Sequence, residues 1–427
     1  MSTSIRKQAA TLTFANALTR LAGFFLHLLF ARWMGAEAMG VMEQAHAAQM
    51  LALTPVTSGI PAAMSRLTAR KPACDQQAVL RAGISLILHT VRWLLPALVL
   101  LSPLWAYLTG GFRALPALLC AMPGIVFLGL GAVYGGYCCG QGRAAIPARG
   151  ECVEQGVRMA LALLLLALWG GRSVSLTAAL PAIAESLAAV AAWALLHRCC
   201  PLLPSCAPSS RTLERQLFSL ATPAVCARLC TTSLRAVAAV LVPVCLQRSG
   251  LSAREATAQY GLFSGMALPL MMLPGILTGA VSTAAVPAVA RLEQQRAPLR
   301  RLLGHLLLAG LSMGLAAWFA LRLCSGFLAT TLYRQPALSP IVNALSPAAT
   351  LFSLQQVMHG AVTGLGLQRR ALTGTLLGGA AQLIVTALLC PMPAFRIMGF
   401  VAGMLCGQLL SCLYTAFLLL THLSQKN

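Results

Sequence analysis

Twelve apolar stretches, most of membrane-spanning length, follow one another along this chain with short polar breaks between them. That pattern leaves few folds open. A spanning helix needs about 20 consecutive apolar residues, and lipid offers the backbone no hydrogen-bond partner, so each such stretch must pair its own amides as a helix. The stretches fall near 11–33, 41–63, 82–108, 114–137, 150–170, 176–197, 217–246, 258–288, 302–324, 338–362, 371–391 and 397–421. Charge is correspondingly scarce. Only 9% of residues are charged, against about 25% in a soluble chain. The expected fold is an all-α polytopic membrane protein of about 12 transmembrane helices.

The few charges are lopsided, with 31 Lys and Arg against 9 Asp and Glu, a net +22. In a soluble protein this balance points to nucleic acid. Here the basic residues sit mostly between apolar stretches, so they read as topology signals and contacts to anionic headgroups, with no nucleic-acid partner. With the N-terminus inside, eighteen Lys and Arg fall in cytoplasmic breaks. Six fall outside: Arg113, Arg172, Arg248, Arg254, Arg334 and Arg396. The bias places both termini in the cytoplasm and the chain in the inner (cytoplasmic) membrane. Arg6 and Lys7 before an apolar run imitate a signal peptide, but the run is too long for one and reads as an uncleaved first span.

Pro55, Pro61, Pro223, Pro243, Pro269, Pro274 and Pro287 fall inside spans. Each removes a helical hydrogen bond and bends the axis, which suits helices that rock. The longest break without an apolar run, about 198–213, divides the chain into 1–210 and 211–427, six spans each. The halves resemble each other. Gly136, Gly140 and Gly142 in YGGYCCGQGRAAIP (134–147) match Gly360, Gly364 and Gly366 in HGAVTGLGLQRRA (359–371), all at offset 224. Arg158 then aligns with Gln382, and Arg20 with Arg235 at offset 215. SGIPAAMSRL (58–67) resembles STAAVPAVARL (282–292) near offset 225. Six spans per half make this a parallel repeat: two six-helix bundles related by a pseudo-two-fold axis along the membrane normal, with a substrate site between them.

Ionisable groups inside a bilayer are costly and mark functional faces. Helical spacing puts Asn16, Arg20, Gly23 and His27 on one face of the first span, and Arg228, Thr232 and Arg235 on one face of the seventh. Guanidinium stays charged and grips phosphate through paired donors. With no matching set of buried carboxylates, the expected partner is an anionic substrate such as a pyrophosphate head. Arg32 and Arg322, near span ends, read as snorkelling side chains. Glu43 and His46 in the second span, with Glu154 and Arg158 in the fifth, are a candidate ion relay. The i, i+4 spacing predicts a Glu154–Arg158 pair.

Asp75 is the sole aspartate, and no phosphate-binding loop or His-Glu-x-x-His run occurs. The chain therefore reads as no enzyme. Fifteen cysteines are scattered, including the adjacent pairs Cys138-Cys139 and Cys199-Cys200, without zinc-ligand spacing. No metal and no cofactor are expected.

RLAGFFLHLLFARWMGAEAMGVMEQAHAAQMLALTPVTSGIPAAMSRLTA (20–69) resembles the opening of the stage V sporulation protein B family of polysaccharide-biosynthesis membrane proteins. So do YGLFSGMALPLMMLPGILTGAVSTAAVPAVAR (260–291) and the Gly-x-Gly turn followed by Glu154, Gln155 and Arg158. These proteins group with lipid II and oligosaccharide flippases in the multidrug/oligosaccharidyl-lipid/polysaccharide exporter superfamily. The resemblance implies two bundles forming a V, a central cavity and alternating access. The implied cargo is a polyprenyl-pyrophosphate-linked glycan or peptidoglycan precursor, carried from the inner to the outer leaflet during cell-wall or spore-cortex assembly. The implied partners are cell-wall or spore-assembly proteins. Two features depart from the family: many relatives carry two more C-terminal spans, and the high basicity with a lone aspartate leaves no obvious coupling ion. A drug/cation antiporter of the same superfamily needs buried carboxylates where this chain offers arginines. A non-transporting scaffold for wall assembly would leave the arginine faces dispensable.

Overall fold

The computed structural model describes residues 3–72, 75–109, 111–201, 211–293 and 296–424, with the backbone alone for 3–18, 20, 296 and 297. Every regular element among them is helical. In order these are α1 (Thr3–Thr57), α2 (Ile60–Arg70), α3 (Gln76–Leu108), α4 (Leu115–Gly140), α5 (Ala145–Trp169), α6 (Val174–Cys199) and α7 (Arg211–Arg248). Then come α8 (Ala253–Gly261), α9 (Leu268–Met272), α10 (Gly275–Leu292), α11 (Arg296–Phe327), α12 (Leu338–Gly364), α13 (Gln368–Leu389) and α14 (Ile397–Ser424).

Among the described residues, nine helical segments are long and apolar enough to cross a membrane. They account for all the expected spans except the first, second and tenth. The first two are the legs of α1, which join at Gly35, where φ 76° and ψ 174° break the helix. The second expected span (41–63) stops short at Thr57. The chain turns at left-handed Gly59 and restarts as α2. The tenth expected span is α12, long enough at 27 residues but more polar than the other nine. Its two adjacent glutamines bond to neighbouring helices. Gln355 donates to Ser411 Oγ at 2.5 Å, and Gln356 donates to the Gly275 carbonyl at 3.1 Å. A helix enclosed by other helices escapes the demand for apolarity that lipid imposes. The eighth expected span (258–288) is divided. It runs as α8, a π-helical turn over Leu262–Ala267, α9, a break before Pro274, and α10.

Large apolar side chains lie bare on the outer helices: Leu100 is 80% exposed on α3 and Leu323 83% on α11. Such a surface has no stable contact with water and is a lipid-facing one. The chain is a multi-pass membrane protein.

Two compact units divide it: residues 1–26 with 41–236, and 27–40 with 237–427. Unit 1 centres on α4, half of whose spanning stretch is buried, with Met64, Leu80, Ile87, Ile125, Val133 and Tyr134 at its core. Unit 2 centres on α12, with Val289, Leu303, Met358 and Val362 in one core cluster. Two helices serve both units. Residues 27–40 of α1 belong to unit 2 because Gly40 and Gly261 let α1 and α8 touch backbone to backbone: a Cβ on Gly40 would lie 2.0 Å from the Thr257 carbonyl oxygen. Arg254 and Glu37 add an ion pair at 3.3 Å. The first part of α7 belongs to unit 1, where Gly59 abuts Ala221.

Candidate functional site

Unit 1 holds a polar cluster in the middle of its helices. Gln155 and Arg158 are one turn apart on α5, and Arg158 Nη2 donates to Gln155 Oε1. Arg158 Nη1 lies 3.7 Å from Glu185 Oε1 on α6. Gln49, on the second leg of α1, donates from Nε2 to Glu185 Oε2 at 3.1 Å. Three helices thus meet on one carboxylate. The expected Glu154–Arg158 pair gives way to Arg158–Glu185. A guanidinium in a bilayer needs a countercharge. The carboxylate on the facing helix is the one within ion-pair distance, while Glu154, on the guanidinium's own helix, adds a longer-range attraction.

Donors remain to spare. Arg158 Nε and Gln155 Nε2 are both buried without a hydrogen-bond partner among the described residues. Gln155 is only 7% exposed. An unsatisfied buried donor costs roughly 1–3 kcal/mol, so a cluster holding two of them is poised for an acceptor. Gly23, on the first leg of α1, faces the same spot: a Cβ there would lie 3.6 Å from Gln155 Nε2. The α1 face read from the sequence as Asn16, Arg20, Gly23 and His27 therefore meets the α5 cluster through Gly23. The side chains of Asn16 and Arg20 lie outside the described residues, but Arg20 is one turn before Gly23 by register.

Thr232 is buried, its Oγ1 3.3 Å from Thr54 Oγ1 on α1 and donating to the Arg228 carbonyl at 2.9 Å. Arg228 and Arg235, one turn to either side, are exposed on α7. Glu43 and His46, half-buried, sit on the α1 leg that carries Gln49, and Glu154 is half-buried on α5. His27 stands apart. It belongs to unit 2, half-buried, its ring 6.2 Å from that of Phe30. Every other expected substrate or relay residue belongs to unit 1.

The sequence reading passed over Gln155 and Glu185 as partners of Arg158, and Gln49 as a partner of Glu185. A signal for one was present: Glu185 is among only nine acidic residues and sits mid-span. Gln49 and Gln155, being neutral, carry no comparable mark. Among the described residues no three His, Cys, Asp or Glu side chains converge as metal ligands.

With this geometry in hand, the chain is similar over its whole length to known membrane proteins. It is 25% identical over 420 residues to stage V sporulation protein B of Bacillus subtilis (strain 168), covering 94% of this chain and 81% of that one. Its fold matches the lipid II flippase MurJ in an inward closed conformation, with TM-score 0.76, 14% identity, and 96% and 87% of the two chains covered. It also matches an inward-facing multidrug resistance MATE family transporter of the MOP superfamily, with TM-score 0.75, 14% identity, and 96% and 98% covered. The chain shares the fold of these two structures. The family model described as polysaccharide biosynthesis protein matches residues 5–293, two thirds of the sequence, and the chain belongs to that family.

Proposed function

We propose that this protein is a transporter that moves a polyprenyl-pyrophosphate-linked glycan or peptidoglycan precursor from the inner to the outer leaflet of the cytoplasmic membrane. Membership of the polysaccharide biosynthesis family supports the cargo class. The fold shared with MOP-superfamily proteins supports transport over catalysis. The observation that carries the reading is the pair of buried donors, Arg158 Nε and Gln155 Nε2, that have no hydrogen-bond partner among the described residues, beside the α1 face to which Arg20 belongs by register.

In this reading the pyrophosphate competes with Glu185 for Arg158. A diphosphate offers several oxygens where one carboxylate offers two, and it can take the guanidinium fork bidentately. As Arg158 turns to the cargo, Glu185 loses its countercharge and its hold on Gln49 weakens, freeing the second leg of α1. Arg20, Arg228 and Arg235 supply further positive charge, with Asn16 and Thr232 as uncharged hydrogen-bonding contacts. Glu43, His46 and Glu154 remain candidates for a proton or ion relay. The excess of Lys and Arg in one set of breaks orients both termini to the cytoplasm, the side on which such precursors are made. Wall- or spore-assembly proteins are the candidate partners there.

The test is flipping of a fluorescent polyprenyl-pyrophosphate glycan in liposomes holding the purified chain, read by quencher access. The wild type is expected to flip the lipid and Arg158→Gln to fail while staying monodisperse. Equal flipping by both would remove the anion site from Arg158. No flipping by the folded wild type, across several glycan lipids, would favour a scaffold role.

A further inference from the structure

At the end of α4, away from the cluster just described, Cys138 Sγ lies 3.1 Å from Sγ of Cys200, the residue that caps α6. The two are 62 positions apart in sequence, and both are free thiols. Cys138 is fully buried and Cys200 is 5% exposed. A disulfide needs the sulfurs about 2.0 Å apart, so they stand roughly 1 Å from bonding distance, within reach of a side-chain rotation. The helix ends are held in place around them. Tyr134 Oη and His197 Nδ1 join the same two helices at 2.8 Å one turn away, and His197 stacks on Trp193. Gly140 seats the same turn of α4 against Ser65 of α2. Two thiols kept in contact by this frame have little entropy left to lose on bonding.

We propose that Cys138 and Cys200 are a reversible dithiol–disulfide couple that, when oxidised, staples the end of α4 to the end of α6. The oxidant is a peroxide. Its oxygen is taken by Sγ of Cys200, the more accessible of the two, giving a sulfenic acid and one water. Sγ of Cys138 then attacks that sulfur, closing the S–S bond and releasing a second water. The balance is two thiols and one hydrogen peroxide to one disulfide and two waters. A low-molecular-weight dithiol returns both protons and electrons and reopens the bridge. In a reducing compartment the dithiol is the resting form, and the bridge reports an oxidising episode.

The experiment uses the full chain in detergent, treated with hydrogen peroxide, denatured, alkylated and mapped by mass spectrometry. The expected product is a peptide pair linked through Cys138 and Cys200. Alkylatable thiols fall from fifteen to thirteen and return after dithiol treatment. Tm is expected to be higher oxidised than reduced. The adjacent Cys139 and Cys199 are the internal control. Cys139→Ser/Cys199→Ser keeps the link, whereas Cys200→Ser loses both the link and the Tm shift. Linkage through Cys139 or Cys199, full alkylation of Cys138 and Cys200 after peroxide, or a sulfinic acid at Cys200 in place of the bridge would each overturn the proposal. The wild-type map alone decides between these outcomes, whatever the variants do.

Discussion

One helix joint is built twice in this molecule, and a second joint is built in two different ways. In unit 1, α4 docks on α2 through Gly136 and Gly140, whose missing Cβ atoms would lie 2.5 Å from the Pro61 carbonyl oxygen and 2.7 Å from that of Ser65. In unit 2, α12 docks on α10 through Gly360 and Gly364, 2.4 Å from the Ser282 oxygen and 2.7 Å from that of Val286. Both helices then end at a left-handed glycine, Gly142 with φ 74° and Gly366 with φ 71°. The next joint differs. Positions 154 and 158 of α5 correspond, at offset 224, to 378 and 382 of α13. In unit 2 these are Gly378, which meets Gly407 of α14 backbone to backbone, and Gln382, whose Cβ packs against Gly407. In unit 1 they are Glu154 and Arg158, and the Arg158–Glu185 pair fills the interval between α5 and α6. Lipid tails give helices no hydrophobic reason to associate, so close small-residue contact is the default adhesive. Where one copy gives up that adhesive for a half-buried ion pair, stability alone does not explain the change.

The sharpest way to break this contrast is to make unit 1 like unit 2. Arg158→Gln installs the residue of the matching position. It is expected to lower flipping by roughly 10–100-fold, the loss of one charge-assisted contact, and to lower stability by about 1–3 kcal/mol by stranding Glu185. Gln382→Ala keeps the Cβ that touches Gly407 and is expected to change flipping by less than about twofold. Similar losses from both substitutions would erase the distinction between the joints.

Next in size come the duplicated contacts. Gly136→Leu and Gly360→Leu each force a side chain against a carbonyl of the partner helix, at about 1–3 kcal/mol apiece. Thermal unfolding in detergent should show comparable falls in Tm, and a silent Gly360→Leu would end the claim that the two joints are equivalent. Smaller again, Gly142→Ala and Gly366→Ala should each cost about 1 kcal/mol for a left-handed backbone, in the same assay.

The smallest effect is confined to unit 2. The backbone amide of Ser252, then its hydroxyl, hold the Glu255 carboxyl at the start of α8 below its usual range. That contribution is complete above the ordinary carboxylate pKa and is lost as pH falls through the lowered one. Ser252→Ala should lower Tm by roughly 1 °C near neutrality and flatten its acid dependence. An unchanged Tm–pH curve would remove the cap from the account.

Much of this was legible in the sequence, for physical reasons that also mark where legibility stops. Lipid-facing helices announce themselves by length and apolarity, and Gly142 and Gly366 by the turn that only glycine makes easily. The enclosed helix α12 announces itself more faintly, as the stretch 338–362 interrupted by polar residues, because protein around it tolerates Gln355 and Gln356. The register of SGIPAAMSRL against STAAVPAVARL was displaced by one helical turn. Residue identity favoured offset 225, pairing Arg66 with Arg291. The glycine contacts pair Pro61 with Ser282, Ser65 with Val286 and Thr68 with Val289, an offset of 221 that sets Arg70 opposite Arg291. Carbonyl oxygens make those contacts, and they leave no trace in residue type. The arginines of α1 and α5 were visible as costly charges. The partner of Arg158 was hidden, because helical spacing reports only neighbours on the same helix and Glu185 is on another.

The sharing of α1 and α7 between the units bears on the order in which the chain can be finished as it leaves the ribosome. Unit 1 needs residues up to 236, beyond the 202–210 connection, so it cannot be complete when the first six helices have been made. Unit 2 needs residues 27–40, synthesised long before the rest of it, so that segment must wait unattended for α8 to arrive. Chains usually mature domain by domain from the N-terminus, but here neither unit closes on its own half of the sequence. Expressing 1–210 and 211–427 as separate polypeptides would therefore divide both units at once.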